Sequence, residues 1–285
     1  ISLIFTSCGG DSDSDQLTIG GKADTEAYVL ANLASILLEE EGYQVEKELG
    51  VESVLAREAL VNGEVDLYYD YTGTAYTLYY EQSDDEVMRD PEAVYQWVKE
   101  ADQEEGIVWL DKLDFNNTYT IMLREEDAED WGIETITDLA ESEEQTDMKF
   151  GTSTEFDNRP DGLQALMDEY DIEFGEIETM SAGIVYQALR DEKLEAGMGY
   201  ATDGRIAAFD FINLEDDRDF FPVYNPAPLV REEVLENYPE IERILGQLDD
   251  RLTSDEIRSL NEAVDIDQEE PENVARKWLE EEELI

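Results

Sequence analysis

Several side chains that could bind a ligand follow predicted strands or lie on predicted crossings between two halves of the chain. They are Lys22, Tyr71, Thr74, Tyr119, Arg159, Tyr200 and Tyr224. In α/β folds ligands bind at the carboxyl ends of strands, where these aromatic faces, hydroxyls and cations would meet. The alternative is that each tyrosine is an ordinary half-buried core residue. The chain contains 15 tyrosines, so their positions alone leave both interpretations open.

Two sets of alternating strands and helices must position these side chains. In residues 17–69, three predicted strands alternate with two helices whose apolar residues repeat at the helical spacing. This order predicts a largely parallel sheet with helices on its faces. A second alternating set lies within residues 137–214, and residues 231–279 read as helical. The sequence therefore predicts an α/β fold with two sheets in two lobes.

The predicted boundaries place residues 17–115 and 222–285 in lobe 1 and residues 116–221 in lobe 2. Tyr119 and Tyr224 then lie on the two crossings between the lobes. Lobes joined by two crossings leave a cleft that can close around a ligand by a hinge motion. We expect the ligand in this cleft.

Composition excludes several classes of function. The 285 residues carry 75 acidic and 19 basic side chains, a net charge of −56, which would repel nucleic acid. Such a surface is typical of adaptation to high salt, where the Debye length is about 3 Å and charge contributes solubility rather than long-range steering. The chain has no histidine and a single cysteine. Histidine triads, histidine metal sites and intrachain disulfides are therefore excluded.

Motifs for enzymatic chemistry are also missing. The sequence has no Gly-x-Ser-x-Gly elbow, no phosphate-binding loop and no metal-binding cluster. A hydrolase that uses paired carboxylates is an alternative, but with 75 acidic residues a pair at catalytic distance is expected by chance. The sequence thus predicts a binding protein without a cofactor or a metal.

The first 16 residues resemble the end of an exported leader followed by a tether. Thr6 and Ser7 precede Cys8 as in a lipoprotein cleavage box, although Phe5 stands where leucine is usual. Residues 9–16 are rich in Gly, Ser and Asp, a composition typical of a flexible tether. We expect a lipid on Cys8 to anchor the domain outside the cytoplasm, at the cell surface or in the periplasm. The alternative is a stray cysteine on a disordered tail.

From Leu17 to Leu279 the chain resembles the substrate-binding proteins of osmoprotectant ABC transporters, the glycine betaine/choline/carnitine family. The matching stretches are Gly21-Lys22, Thr25-Glu26, Gly63-Glu64-Val65-Asp66-Leu67-Tyr68, Tyr71-Thr72-Gly73-Thr74, Phe115-Asn116-Asn117-Thr118-Tyr119, Glu155-Phe156, Asn158-Arg159-Pro160-Asp161-Gly162, Tyr186-Gln187-Ala188-Leu189-Arg190, Thr202-Asp203-Gly204-Arg205-Ile206, Phe220-Phe221-Pro222, Tyr224-Asn225 and Ala227-Pro228-Leu229-Val230. Their order and spacing make the resemblance specific. It implies a type II periplasmic-binding-protein fold with two parallel-rich sheets, and a monomer that delivers its solute to an ABC permease.

The resemblance also implies a site. The residues that would form an aromatic cage for a quaternary ammonium group are Tyr71, Tyr119, Tyr200 and Tyr224. Such a group has no N–H to donate, and each aromatic face attracts it by roughly 0.5–2 kcal/mol. Arg159 would bind a carboxylate tail with its fork, and Lys22 and Thr74 would add point contacts.

Some of these residues also have structural interpretations. Arg159 could instead pair with Asp157 or Asp161, and Lys22 could be a surface lysine. Asp203 and Arg205 are interpreted as a structural pair.

The chain departs from the family near Ala23-Asp24 and at Ala27, where a hydrophobic or aromatic residue and a glutamine are common. One wall of the pocket would then differ. By resemblance, Thr74 in place of an acidic residue favours a broad betaine-type range over strict choline. Another alternative is a receptor of the same fold for a polyamine, which would require several carboxylates in the cleft. Asp70 is the only acid in the matching stretches that adjoins a cage tyrosine in sequence.

Overall fold

The computed structural model describes residues 16–249 and 251–285. The strands are β1 (Gln16–Lys22), β2 (Gln44–Val51), β3 (Leu67–Tyr71), β4 (Ile107–Trp109), β5 (Tyr119–Arg124), β6 (Lys149–Thr152), β7 (Glu176–Thr179), β8 (Ala196–Tyr200), β9 (Phe211–Asn213) and β10 (Pro226–Arg231). The helices are α1 (Thr25–Glu40), α2 (Ser53–Val61), α3 (Thr72–Thr74), α4 (Asp85–Met88), α5 (Pro91–Gln103), α6 (Glu125–Trp131), α7 (Ile136–Glu141), α8 (Thr154–Asn158), α9 (Leu163–Tyr170), α10 (Ala182–Arg190), α11 (Arg205–Ala208), α12 (Glu232–Asn237), α13 (Glu240–Leu245), α14 (Ser254–Asp265) and α15 (Pro271–Glu281). Cys8 and the predicted tether up to residue 15 lie outside the described residues.

Two five-stranded sheets share one strand pattern. Sheet A has the order β2-β1-β3-β10-β4, and sheet B has the order β7-β6-β8-β5-β9. In each sheet the first three strands are parallel, and the fourth is antiparallel to both of its neighbours. The predicted α/β fold with two largely parallel sheets is confirmed, with one antiparallel strand in each sheet that the sequence did not indicate. That strand is β10 in sheet A and β5 in sheet B.

Helix α1 illustrates how the sequence sets these elements. Asp24 caps its first turn, because the carboxylate Oδ1 accepts a hydrogen bond from the backbone N–H of Ala27 at 2.8 Å. Gly42, with a φ of +100°, allows the chain to turn back into β2 soon after the helix ends. Most of α1 is buried, packed against sheet A and the C-terminal helices α14 and α15. The helix start is therefore held firmly against the edge of sheet A.

The hydrophobic core of sheet B extends to the junction between the two sheets. It contains Tyr119 and Tyr224 together with Phe156 and Phe221, and it also includes Tyr71 from sheet A. Tyr68 and Tyr69, which share a strand with Tyr71, are buried in separate clusters. The three tyrosines of β3 therefore belong to three different hydrophobic clusters.

Three segments differ from what their own residues predict, which is a turn at residues 71–74, a loop over residues 152–162 and a strand that begins at Phe115. The turn predicted at residues 71–74 is the helix α3, which continues into a π-helix over Ala75–Tyr79. The loop predicted at residues 152–162 contains α8, because Ser153 accepts a hydrogen bond from the backbone N–H of Phe156 at 3.0 Å and caps a short helix. The strand predicted from Phe115 begins only at Tyr119. In the first two cases a turn signal, Thr72-Gly73 or Pro160-Asp161-Gly162, outweighed a weaker helical one.

Candidate functional site

A cavity of about 530 Å³ lies between the carboxyl ends of strands from both sheets. Lys22 and Tyr71 end β1 and β3 of sheet A. Ser153 follows β6 and Tyr200 ends β8 of sheet B. All four side chains line the cavity, as do Tyr119 and Tyr224 near the start of the antiparallel strands. The two sheets therefore present their ligand-binding edges to the same space.

The four tyrosines of the predicted cage meet at this cavity. The ring centroid of Tyr119 lies 5.3 Å from that of Tyr200 and 5.6 Å from that of Tyr224, whose ring is nearly perpendicular to it. Phe156 stacks on Tyr119 with a centroid distance of 4.6 Å. Tyr71 lines the cavity from sheet A. Burial raises the pKa of all four hydroxyls, so the rings are neutral at physiological pH.

Lys22 is buried and already paired. Its Nζ donates to Asp70 Oδ1 at 2.9 Å and lies 4.2 Å from the ring centroid of Tyr71. The hydroxyls of Tyr68 and Tyr79 donate to the other oxygen of Asp70, at 2.5 and 2.7 Å. The interpretation of Lys22 as a surface lysine is therefore wrong. Asp70 holds the ammonium group of Lys22 in place through this ion pair.

Arg159 is buried beside the cavity and is also paired. Its Nε and Nη2 donate to the two oxygens of Asp161, both at 2.8 Å, which is a bidentate ion pair. Its Nη1 lies 3.3 Å from Glu155 Oε1 and 3.5 Å from Thr74 Oγ1. Arg159 therefore forms the structural ion pair with Asp161 that the sequence offered as an alternative to ligand binding. Thr74 lines the cavity, and a ligand-binding role for Arg159, Lys22 and Thr74 stays a prediction.

Glu26 is a buried carboxylate at the cavity that sequence reasoning missed. It accepts hydrogen bonds from the hydroxyls of Tyr71 and Thr202, both at 2.6 Å, and from the amides of Asn117 and Asn261, at 3.0 and 3.2 Å. Among residues 16–249 and 251–285, no lysine or arginine forms an ion pair with it. Burial raises the pKa of the Glu26 carboxyl to about 7.

Three more carboxylates line the cavity beside Lys22. The pKa of Glu52 is raised to about 7, mainly by its hydrogen bond to Glu155 and to a smaller extent by burial. Burial opposes ionisation of Glu155, but the charge of Lys22 and the hydrogen bond from Glu52 lower its pKa to about 2. Burial also raises the pKa of Asp24, against the opposing charge of Lys22. At pH values below about 7, Glu52 and Glu155 therefore share one proton.

Arg205 and Asp203 form the predicted structural pair at the far side of the cavity. Arg205 Nε donates to Asp203 Oδ1 at 2.9 Å, and its Nη2 donates to Oδ2 at 2.5 Å. Nη2 also lies 3.2 Å from Asp265 Oδ2 on α14. This arginine, like Lys22 and Arg159, is therefore neutralised by protein carboxylates.

Residues 16–249 and 251–285 have neither a metal-binding cluster nor a membrane-spanning helix. In that part of the chain, no group of three or more cysteine, aspartate and glutamate side chains is placed to hold a metal ion. None of its helices combines the length and apolar character needed to cross a membrane.

Comparisons with known proteins agree on one family. The family model described as OpuAC, the substrate binding domain of ABC-type glycine betaine transport systems, matches residues 15–281. The chain is 37% identical to a glycine-betaine-binding protein of Pseudomonas aeruginosa, over 97% of this chain and 91% of that protein. It is 32% identical to the carnitine transport binding protein OpuCC of Listeria monocytogenes, over 98% and 92% of the two chains.

A solved structure described as a glycine betaine/carnitine/choline ABC transporter superposes with a TM-score of 0.75 and 29% sequence identity, over 93% of this chain and 98% of that chain. The type II periplasmic-binding-protein fold is thereby confirmed. Proteins of this family are transport binding proteins rather than enzymes, work outside the cytoplasm, and bind small quaternary ammonium solutes for ABC permeases. The chain therefore belongs to the family of substrate-binding domains of ABC-type glycine betaine transport systems.

Proposed function

We propose that this chain captures a quaternary ammonium solute in the cavity between its two sheets and delivers it to an ABC permease. The observation that carries the proposal is the meeting of Tyr71, Tyr119, Tyr200 and Tyr224 at a single cavity. Aromatic faces attract a cation through their quadrupole, by about 0.5–2 kcal/mol each. Several faces and apolar burial together suit micromolar binding, which requires about 8 kcal/mol.

The role of each tyrosine follows from its contacts. Tyr119 lies between Tyr200 and Tyr224, so its position fixes the shape of the cage. Tyr71 is held by its hydrogen bond to Glu26. Thr74 and Lys22 line the cavity and provide point contacts to the rest of the solute, while Arg159 lies next to Thr74 and orders the cleft through Asp161.

The proposed lobes are residues 17–115 with 222–285, and residues 116–221. Several side-chain hydrogen bonds join them across the cleft, among them Ser53 to Glu155 at 2.7 Å, Thr77 to Asp161 at 2.8 Å, and Thr202 to Glu26 at 2.6 Å. A solute that contacts both lobes adds to these bonds and favours closure. In this proposal the domain is a monomer without enzymatic activity, lies outside the cytoplasm, and is anchored by a lipid on Cys8.

Calorimetry with glycine betaine, choline, carnitine and proline betaine tests the proposal. At least one of them should bind with micromolar affinity, and Tyr71→Ala and Tyr200→Ala should each weaken it. Tyr238→Leu is a control, because this tyrosine packs on Tyr43 and is not part of the cavity lining. If none of the four solutes gives heat, the proposal is wrong. If both cavity variants bind like the parent, the cage is wrong.

A polyamine is a second candidate solute because the cavity contains more carboxylates than the sequence indicated. Asp24, Glu26, Glu52 and Glu155 all line it. A polyamine has N–H groups that carboxylates bind well. A thermal-shift panel that includes spermidine separates the two candidates, since only a polyamine receptor would be stabilised by spermidine more than by every quaternary ammonium compound.

A further inference from the structure

The charge balance of the cavity narrows the class of solute. Six carboxylates line it, against two basic side chains: Asp24, Glu26, Glu52, Glu155, Asp203 and Asp265 against Lys22 and Arg205. Both basic side chains are paired, Lys22 with Asp70 and Arg205 with Asp203. A solute with a carboxylate tail would thus enter a space that already holds excess negative charge.

The neighbouring guanidinium does not change this balance. Arg159 is not among the residues that line the cavity, and both oxygens of Asp161 accept hydrogen bonds from it. Its remaining nitrogen, Nη1, lies 3.3 Å from Glu155, which also carries negative charge. A carboxylate tail would have to compete with these two anions for one nitrogen. The guanidinium group of Arg159, which could bind such a tail, is therefore already bound to protein carboxylates.

Glu26 requires a cation that the protein does not supply. Only 3% of its surface is exposed, and its four hydrogen-bond donors are all neutral. A buried carboxylate without a counter-charge is costly, and the raised pKa of Glu26 reflects this cost. A solute of net positive charge, placed against Tyr71 and Glu26, would provide the missing charge.

Two acceptors beside Glu26 indicate that the solute also donates a hydrogen bond. Asn261 lines the cavity and is only 3% exposed, and its Oδ1 is a buried acceptor with no hydrogen-bond partner among the described residues. Asn117 Oδ1 is likewise a buried acceptor without a hydrogen-bond partner among the described residues. Each of these asparagines uses its amide N–H to hold Glu26, so each carbonyl is left for another donor. Glycine betaine has no N–H or O–H to offer, whereas a quaternary ammonium alcohol has one O–H.

From these observations we propose that the cleft selects a quaternary ammonium alcohol of net positive charge, the choline class, over zwitterions with a carboxylate tail. Asp24 and Glu26 are the residues that set this preference. The inference rests on the proposed function, since it takes binding of a quaternary ammonium group in the tyrosine cage for granted. It goes beyond that function by assigning the charge and the hydrogen-bonding group of the solute.

Asp24 can be tested without loss of its structural role. It caps α1, and asparagine caps helices about as well as aspartate. Asp24→Asn therefore removes the charge at the cavity and keeps the helix start. Asp90→Asn is the matched control, because Asp90 caps α5 in the same way and is not part of the cavity lining. Glu26→Gln removes the second charge with little change in volume.

The experiment is calorimetry with choline chloride and with glycine betaine, in about 0.2 M and about 2 M KCl. We expect the wild-type chain to bind choline at least tenfold more tightly than glycine betaine at both salt concentrations, because buried charges are screened far less than the acidic surface. Asp24→Asn and Glu26→Gln should each reduce this ratio by at least threefold. Asp90→Asn should leave it unchanged.

Each other outcome has a definite meaning. Equal or tighter binding of glycine betaine overturns the inference and leaves the proposed function in place. The inference is also overturned if the preference for choline disappears in about 2 M KCl, since surface charge would then explain it, or if neither cavity variant changes the ratio. Absence of binding by both solutes also overturns the inference, and it contradicts the proposed function only if carnitine and proline betaine give no heat either.

Discussion

Asp102 and Glu26 are both buried carboxylates with four hydrogen-bond donors, but only Asp102 is paired with a cation. Arg57 donates to both oxygens of Asp102, at 2.8 and 2.5 Å, and Trp109 and Tyr80 complete the set. Glu26 receives hydrogen bonds from two hydroxyls and two amides. The first cluster is closed and electrically balanced, and the second is open to the cavity and lacks a positive charge. The difference distinguishes a carboxylate that stabilises the fold from one available to a ligand.

Removal of Arg57 should have the largest effect, because it leaves Asp102 as a buried charge without its cation. We expect Arg57→Leu to lower the free energy of unfolding by about 3–5 kcal/mol. Denaturant unfolding followed by circular dichroism measures this change. The double variant Arg57→Leu with Asp102→Asn should recover part of the loss. A single variant as stable as the wild type would show that the ion pair contributes nothing.

Glu26→Gln should act in the opposite direction on the protein without solute. The pKa of Glu26 is raised by burial, so the folded state favours the protonated carboxyl, and ionisation costs stability as the pH rises through about 7. We therefore expect Glu26→Gln to stabilise the protein by about 2–3 kcal/mol near pH 8 and to have little effect near pH 4.5. Thermal unfolding at the two pH values tests this. If Glu26→Gln changed the stability equally at both pH values, ionisation of Glu26 would not contribute to the pH dependence of stability.

The affinity for a cationic solute should fall as the pH decreases. A cation favours ionised Glu26, whose pKa is about 7, so protonation weakens binding. If only the ionised form binds, the affinity for choline falls by at most roughly 30-fold between pH 8 and pH 5.5. Glu52, whose pKa is also about 7, and Asp24, whose pKa burial raises, face the same cavity and act in the same direction, whereas Glu155, with a pKa of about 2, stays ionised over this range. Calorimetry across this pH range, repeated with Glu26→Gln, should show a much flatter dependence in the variant.

Removal of one hydroxyl from each cluster should have the smallest effect. Tyr80→Phe deletes one donor to Asp102 and should cost about 1 kcal/mol of stability, with unchanged solute binding. Tyr71→Phe deletes one donor to Glu26 but keeps the aromatic face. It should weaken choline binding severalfold at neutral pH, because the ionised carboxylate loses a hydrogen bond. The comparison between the clusters fails if the two variants change binding to the same extent.

The sequence predicted the fold better than it predicted the site. The local sequence predicts helices over residues 53–61 and 91–103, and α2 and α5 have these bounds, since their apolar spacing agrees with their tertiary packing. The four tyrosines that line the cavity could be singled out because they stand at predicted strand ends or lobe crossings and in recognisable motifs. Helix α8 was missed, because a serine cap is a weaker local signal than the Pro-Asp-Gly sequence that follows it.

The acidic side of the cavity could not be predicted for a physical reason. Glu26 lies in the first turn of α1 and Glu52 directly precedes α2, positions where acidic residues are common because they favour the helix dipole. In a chain with 75 acidic residues, nothing in the sequence separates these from surface residues. Their role depends on burial and on which cations are already paired, as Arg159 is with Asp161. Both are properties of the tertiary structure.

The position of β10 sets the order in which the two sheets can be completed during synthesis. β10 lies between β3 and β4 in sheet A, although it follows all strands of sheet B in the chain. Sheet B is built from the continuous segment from β5 to β9. It can therefore form while the edge of β3 is still unpaired, before β10 has been synthesised. An unpaired strand edge of this kind tends to associate with other chains. The acidic residues that precede β10 make nascent chains repel one another, which opposes that association until β10 is inserted.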